Sequence, residues 1–193
     1  MLMNGKAKFK TWRFKMSKIQ FNLFLMLLLA SISACDKKGA AQIDSPSTAS
    51  APVGKMVDFL TTQDSKPLVI DAALFDTPAA KEFMTTGKNP YVGKEEAIAK
   101  GKKVFQLYSC TQCHGPEAKG QVGPGLTGPD FKYPKDATNK GMFETVWHGT
   151  NGGMGAKGIG LMDPTDPKNG ITPDELLKII AWIRSMSKTT GNE

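Results

Sequence analysis

The sequence predicts an all-α domain of three to five helices, joined by long Gly/Pro-rich loops and preceded by an N-terminal extension. Three observations predict this class. Apolar residues recur at spacings of three and four in several segments. A strand-like alternation is almost missing, and stretches rich in glycine and proline separate the periodic segments. Such loops build little apolar core among themselves, so a domain of this kind needs an internal organiser, which a bound cofactor would supply.

The first clear helix begins near Lys94 and leads to Cys110. Its apolar face contains Ala97, Ile98, Gly101, Val104, Phe105 and Tyr108. Glycine in a helix interior costs about 1 kcal/mol relative to alanine. Gly101 therefore predicts the close approach of another helix at that position.

Two further helices follow the same reasoning. One is predicted from Thr138 to His148. The last begins at Thr172-Pro173-Asp174-Glu175, where Thr172 caps the helix, proline suits the first turn and Glu175 completes a capping box. Its predicted buried stripe, flanked by Trp182, is Leu176, Ile179, Ile180 and Ile183.

The chain divides into four predicted parts. Residues 1–34 read as a lipoprotein-type signal peptide, residues 35–55 as a flexible tether, residues 56–92 as an extension that packs on the core, and residues 93–193 as the domain itself. Within the extension, Pro67 to Ile70 is strand-like and Ala79 to Met84 is a short helical candidate.

The leader has a basic segment followed by an apolar run from Ile19 to Ala30, which is shorter than a permanent transmembrane helix. Translation could begin at Met1 or Met16. Ile32-Ser33-Ala34-Cys35 resembles the bacterial lipobox, which implies an acylated Cys35, export to the periplasm and tethering to the inner membrane. The alternative is an ordinary cleavage site with an incidental cysteine.

Charge excludes one class of partner. The formal net charge is +7, but six basic residues and no acidic ones lie in residues 1–34, which leaves 19 basic against 18 acidic residues afterwards. A nearly neutral mature chain gives no reason to expect nucleic acid as a partner.

The segment Cys110-Thr111-Gln112-Cys113-His114 predicts one covalently attached haem c. Two thiols at this spacing add to the haem vinyl groups, and the adjacent imidazole binds the iron as the proximal ligand. Zinc is the competing interpretation, but it would need further Cys or His ligands, and only His148 remains.

The sixth iron ligand has five candidates, which are Met142, Met154, Met162, Met186 and His148. Met142 and Met186 fall on predicted helices, while His148 at a helix end is a rival. Met154 is favoured because the glycines around it let the backbone bring a side chain up to a flat cofactor. A filled sixth position excludes oxygen and peroxide from the iron, which predicts a one-electron carrier and not an enzyme. An open-site haem peroxidase or sensor is the alternative.

Gly123-Pro124-Gly125-Leu126 resembles the Gly-Pro-x-Leu segment of class I cytochromes c, in which the proline carbonyl accepts a hydrogen bond from the proximal histidine. The resemblance implies a class I cytochrome c fold, with Pro124 orienting His114.

Residues 77–187 resemble one particular family, cytochrome c-L. The resemblance is carried by Thr86-Gly87-Lys88-Asn89-Pro90-Tyr91, by Tyr133 to Thr145, by Gly149-Thr150-Asn151-Gly152-Gly153-Met154-Gly155 and by Ala181-Trp182-Ile183-Arg184-Ser185. It implies Met154 as the distal ligand, a quinoprotein (PQQ) methanol dehydrogenase as electron donor, and a second cytochrome c or a terminal oxidase as acceptor. Another periplasmic dehydrogenase is the alternative donor.

The resemblance also implies a calcium ion near the haem. Asp163, Asp166 and Asn169 are oxygen-bearing candidates in one loop. A solvated turn is the competing interpretation of this loop. The chain departs from some members of the family in that it cannot form their disulfide.

Overall fold

The computed structural model of the chain describes residues 55–187. The predicted signal peptide, Cys35 and nearly all of the predicted tether lie outside the described residues. Within 55–187 the chain forms five α-helices and two short 3-10 helices and no strand, which confirms the all-α prediction. The α-helices are α1 (Pro78–Thr86), α2 (Glu95–Leu107), α3 (Thr111–His114), α4 (Asn139–His148) and α5 (Pro173–Met186); the 3-10 helices are Ala72–Leu74 and Pro134–Ala137. No helix in this described range is long and apolar enough to cross a bilayer.

Helices α2 and α5 cross in direct backbone contact at Gly101. A Cβ atom added at Gly101 would lie 1.9 Å from the carbonyl oxygen of Lys178 and 2.9 Å from the amide nitrogen of Ile179. Only a residue without a side chain fits there. The sequence-based expectation of a close helix approach at this glycine is thus confirmed.

The start of α5 is fixed by the predicted capping box. The Glu175 amide donates to Thr172 Oγ1 (3.3 Å), and the Thr172 amide donates to Glu175 Oε2 (3.0 Å). Asp174 in the same turn accepts hydrogen bonds from Thr77 Oγ1 (2.8 Å) and Tyr91 Oη (2.6 Å). The first turn of α5 therefore also holds the chain segment that precedes α2.

Helix α5 is buried on more of its surface than the predicted apolar stripe. Leu177 and Ala181 are fully buried, and so is the flanking Trp182 apart from 4 % of its surface. Trp182 packs against Phe105 of α2, with ring centroids 4.7 Å apart. The α5 helix is therefore the centre of the domain.

The segment before α2 adds an aromatic cluster to the core. Phe59 and Phe83 lie against Phe143 of α4, with ring centroids 5.5 Å and 4.8 Å apart, and Phe143 stacks on Trp147 at 5.4 Å. Aromatic pairs of this kind contribute about 0.5–1.5 kcal/mol each beyond the area they bury. Residues 56–92 thus share one core with the helices.

The prediction of a strand at residues 67–70 is wrong. The described chain there forms only an isolated bridge between Leu60 and Pro67, and Val69 is 91 % exposed. A run of β-branched residues becomes a strand only when a neighbouring strand forms backbone hydrogen bonds with it along its length. Here the Leu68 amide donates a hydrogen bond to the carbonyl of Phe59, and the pairing between the two segments does not continue beyond it.

A buried hydrogen-bond network joins the second 3-10 helix to α4 and α5. Asp136 Oδ1 accepts a hydrogen bond from Thr145 Oγ1 (2.6 Å). Arg184 Nη2 donates to the main-chain oxygens of Asp136 (2.7 Å) and Thr138 (2.8 Å). Burial raises the pKa of Asp136 to about 6, although the Thr145 hydrogen bond and the nearby Lys135 and Arg184 act in the opposite direction.

This raised pKa predicts a specific pH dependence of stability. The folded protein binds the Asp136 proton more tightly than the unfolded chain, so stability is fully present below the ordinary pKa of 3.8 and is lost as pH rises through about 6. The shift corresponds to about 3 kcal/mol at most. Asp136→Asn should flatten the stability profile between pH 4 and 7, as measured by urea unfolding of the haem-loaded protein. An unchanged slope in the variant would contradict the assignment.

Candidate haem-binding site

The two thiols of the haem motif are placed by a sharp turn at the end of α2. Ser109 has φ +57°, and the Cys110 amide donates to the carbonyl of Phe105 (3.1 Å). The chain then enters the one-turn helix α3, which places Cys110 and Cys113 three residues apart on the same face. Cys110 is half-buried and Cys113 is exposed, and neither forms a disulfide. Burial raises the pKa of the Cys110 thiol.

His114 lies at the end of α3 and is 8 % exposed. Its Nδ1 atom is 2.8 Å from the carbonyl oxygen of Pro124. A carbonyl oxygen only accepts, so Nδ1 carries the proton and the lone pair is on Nε2. A fixed acceptor of this kind sets both the tautomer and the ring orientation of a metal-binding imidazole. The geometry is the one that the Gly-Pro-x-Leu resemblance implied.

The loop after α3 packs tightly around this imidazole. The Gly120 amide donates to the carbonyl of His114 (2.9 Å), and the Gly123 amide donates to that of Cys113 (2.8 Å). A Cβ at Gly123 would lie 3.1 Å from His114 Cε1. The chain can press against the ring because Gly123 has no side chain.

Two residues of this loop were missed by sequence reasoning. Gly120 has φ +97°, and a Cβ there would lie 2.8 Å from the amide nitrogen of Gly125. Ala118 is fully buried with φ +52°. The dense glycine spacing between residues 115 and 125 was the available signal for Gly120, whereas nothing in the sequence marked Ala118.

The five candidates for the sixth ligand lie in different surroundings. Met142 is 1 % exposed within the apolar core, as its place on a helix suggested. Met186 packs against the same core at the end of α5. Met154 and Met162 are half-buried in loops. His148 ends α4, and its buried Nδ1 atom has no hydrogen-bond partner among the described residues.

The loop that carries Met154 is a closed turn. The Thr150 amide donates to the carbonyl oxygen of Met154 (2.8 Å). Gly149 has φ +81°, and a Cβ there would lie 2.7 Å from that same oxygen. Gly153 has φ +96°. Glycine is therefore required for this turn, in line with the argument that favoured Met154.

The calcium candidates form a self-contained turn. Asp163 Oδ1 accepts hydrogen bonds from the amide (2.9 Å) and hydroxyl (2.7 Å) of Thr165. Asp163 Oδ2 lies 3.4 Å from Asn169 Nδ2. Among residues 55–187, no three His, Cys, Asp or Glu side chains converge as a metal cluster would require. These contacts match the solvated-turn interpretation.

The remaining residues fit a haem. An imidazole with a free Nε2 atom and two unpaired thiols one helical turn apart form the donor set for covalent attachment. Apolar side chains close to this set along the chain keep part of their surface uncovered, which suits a planar apolar group; they are Tyr108, Leu126 and Phe131.

Fold and donor set together define a class I c-type cytochrome. The family model for cytochrome c matches residues 98–187. Cytochrome c-L of Methylorubrum extorquens is 41 % identical over 112 residues, which are 58 % of this chain and 51 % of that protein. The cbb3-type cytochrome c oxidase subunit CcoP of Rubrivivax gelatinosus is 27 % identical over 117 residues, covering 60 % of this chain and 34 % of that protein. The chain thus spans about half or less of the length of these curated relatives.

Two solved structures match a larger share of their own chains. Cytochrome cL from Hyphomicrobium denitrificans is 38 % identical with a TM-score of 0.58, over 69 % of this chain and 76 % of that one. Cytochrome CL from the marine methylotrophic bacterium Methylophaga aminisulfidivorans is 33 % identical with a TM-score of 0.56, over 68 % and 81 %. This chain belongs to the cytochrome c-L family, and one covalent haem c follows from that membership.

Proposed function

We propose that this protein is a periplasmic one-electron carrier that accepts electrons from a quinoprotein methanol dehydrogenase and passes them to a second cytochrome c or a terminal oxidase. The observation that carries the proposal is the fixed His114 tautomer in a chain of the cytochrome c-L family. The bound haem supplies reversible one-electron chemistry at its iron. Oxidation of methanol to formaldehyde releases two electrons and two protons, so two molecules of the carrier are reduced per alcohol.

The direct test is reduction of the purified oxidised protein by methanol dehydrogenase and methanol, followed by the haem absorbance. We expect two carriers reduced per methanol consumed. Parallel assays with other quinoprotein alcohol or sugar dehydrogenases test the alternative donor. No reduction by methanol dehydrogenase, with reduction by another of these enzymes, would overturn the proposed donor.

The proposal includes Cys110 and Cys113 as the haem attachment sites, His114 as the proximal ligand and Met154 as the distal ligand. Leucine has the size of methionine without its sulfur. Met154→Leu should abolish the far-red methionine–iron band, allow carbon monoxide to bind the ferrous haem and lower the reduction potential by about 0.1 V or more. Met162→Leu is the matched control and should retain the band. The opposite pattern would make Met162 the ligand.

Cys35 is proposed as a lipidated anchor, because the lipobox-like segment stands directly after the apolar run. Fractionation of cells that produce Cys35→Ala tests this. The variant should move from the membrane to the periplasmic fraction, and an unchanged distribution would contradict the anchor.

Exposed apolar residues beside the haem motif form the proposed docking site for the dehydrogenase. Val122 is 84 % exposed next to Gly123, whose amide bonds to the carbonyl of Cys113. Leu107 is 74 % exposed three residues before Cys110. Electron transfer needs close approach to the haem, and a few residues near the centre of a contact contribute most of its affinity.

Val122→Lys should therefore lower kcat/KM for reduction by the dehydrogenase about fivefold to tenfold, since burying part of a valine side chain contributes about 1–1.5 kcal/mol, less than full burial would. The absorption spectrum should not change. Val69→Lys is the control, because Val69 is 91 % exposed on the segment before α1. Equal losses in the two variants would contradict docking at Val122.

The nearly neutral mature chain predicts only mild salt dependence of the rate of reduction by the dehydrogenase.

A further inference from the structure

We propose that a turn at residues 60–66, here named the clamp turn, holds the loop of residues 149–155 closed and so controls how often Met154 leaves the iron. The proposal rests on the assignment of Met154 as distal ligand under the proposed function. All the positioning residues lie outside the haem motif; those of the clamp turn precede the matched cytochrome c region, which begins at residue 98, whereas Asn151 lies within it.

The clamp turn is internally stiff. The Thr61 amide donates to the carbonyl of Lys66 (2.9 Å), and the Ser65 amide donates to that of Thr61 (3.1 Å). The Lys66 amide also donates to Thr61 Oγ1 (3.0 Å). Asp64 pairs with Lys66 (2.7 Å) and accepts a hydrogen bond from the Thr61 hydroxyl. The turn therefore moves as one unit.

Helix α4 anchors one end of this turn. The Leu60 amide donates to Glu144 Oε1 (2.7 Å), and Lys135 Nζ donates to the Leu60 carbonyl (3.0 Å). Glu144 is almost wholly buried and is paired with Lys135 (2.5 Å) and Lys140 (2.6 Å). A buried carboxylate that accepts from a main-chain amide fixes that part of the backbone strongly.

Thr62, two residues after Leu60, is tied to the same helix. Thr62 Oγ1 lies 2.8 Å from Thr145 Oγ1, and the Thr145 hydroxyl already donates to Asp136. A hydroxyl has one proton to donate, so Thr62 is the donor to Thr145. A continuous chain of side-chain hydrogen bonds thus runs from the clamp turn to the buried Asp136.

The middle of the clamp turn reaches the loop that carries Met154. Asn151 Nδ2 donates to the main-chain oxygen of Gln63 (3.1 Å). The adjacent Gly152 donates from its amide to Thr150 Oγ1 (3.1 Å), and Thr150 bonds through its own amide to the Met154 carbonyl. A displacement of Asn151 is therefore passed on to Met154 within three residues.

Opening of this loop has a chemical consequence. An external ligand binds the iron only when the methionine has left it, so its binding rate reports the open fraction of the loop. A hydrogen bond lost only from the closed state raises that fraction by about twofold to tenfold.

The test uses imidazole binding to the ferric, haem-loaded full chain. Asn151→Ala should raise the binding rate at low imidazole about twofold to tenfold. Gln63→Ala is the matched control and should leave the rate unchanged, because Gln63 contributes its main-chain oxygen and not its side chain. The methionine–iron band should also fade at a lower temperature in Asn151→Ala than in the control.

A second pair tests the anchor. Thr62→Val removes the hydroxyl and should raise the rate in the same direction, whereas Thr62→Ser retains the hydroxyl and should match the wild type. Wild-type rates in both Asn151→Ala and Thr62→Val would overturn the clamp proposal, while loss of the methionine–iron band in Met154→Leu would leave the ligand assignment standing. A band retained in Met154→Leu would overturn the assignment and the clamp proposal with it.

Discussion

Replacing Gly101 by alanine is expected to destabilise the haem-loaded protein by about 2 kcal/mol. The added Cβ would lie 1.9 Å from the carbonyl oxygen of Lys178, so α2 and α5 would have to separate. Overpacking of this kind costs about 1–3 kcal/mol and occasionally more. Two rigid backbones meet here, which places the cost at the upper end, and the better helix propensity of alanine offsets about 1 kcal/mol of it.

Urea unfolding followed by circular dichroism measures this effect. Gly155→Ala is the control, because a Cβ at Gly155 meets no atom within 4 Å and its backbone is not left-handed. We expect that variant to unfold at the wild-type urea concentration. A stability of Gly101→Ala equal to that of the control would show that the helix crossing is looser than the structure describes.

Glu144→Ala is expected to destabilise the protein by about 3 kcal/mol. The change removes an acceptor for the Leu60 amide and leaves Lys135 and Lys140 facing one another without their shared carboxylate. Removing one partner of a buried ion pair costs about 3–5 kcal/mol. The lower figure applies because both lysines are 29 % exposed and water partly screens their charges.

Glu96→Ala is the matched control for this second variant. Glu96 also pairs with a lysine four residues away, at 2.7 Å from Lys100, but the glutamate side chain is 84 % exposed. Exposed pairs contribute little, so we expect almost no change in its urea midpoint. Added salt should not rescue Glu144→Ala, since the lost contacts are buried. Equal midpoints for the two alanine variants would contradict the burial argument.

The helices were predictable because their signals are local. The apolar period of α2 and the Thr172 capping box each act within a few residues of the chain. The strand expected near Val69 was wrong because strand formation depends on a partner elsewhere in the chain, and no local pattern reports whether that partner exists.

The haem motif at Cys110, Cys113 and His114, the starts of α2, α4 and α5 and the glycine-bounded turn around Met154 could all be predicted from the sequence alone. Each of these depends on residues that are close together in the chain. The folded chain alone reveals that Glu144 accepts a hydrogen bond from Leu60, 84 residues away, and that Asn151 donates one to Gln63, 88 residues away. Such pairs produce no periodic pattern in the sequence, because a hydrogen bond between distant segments depends on how the whole chain packs.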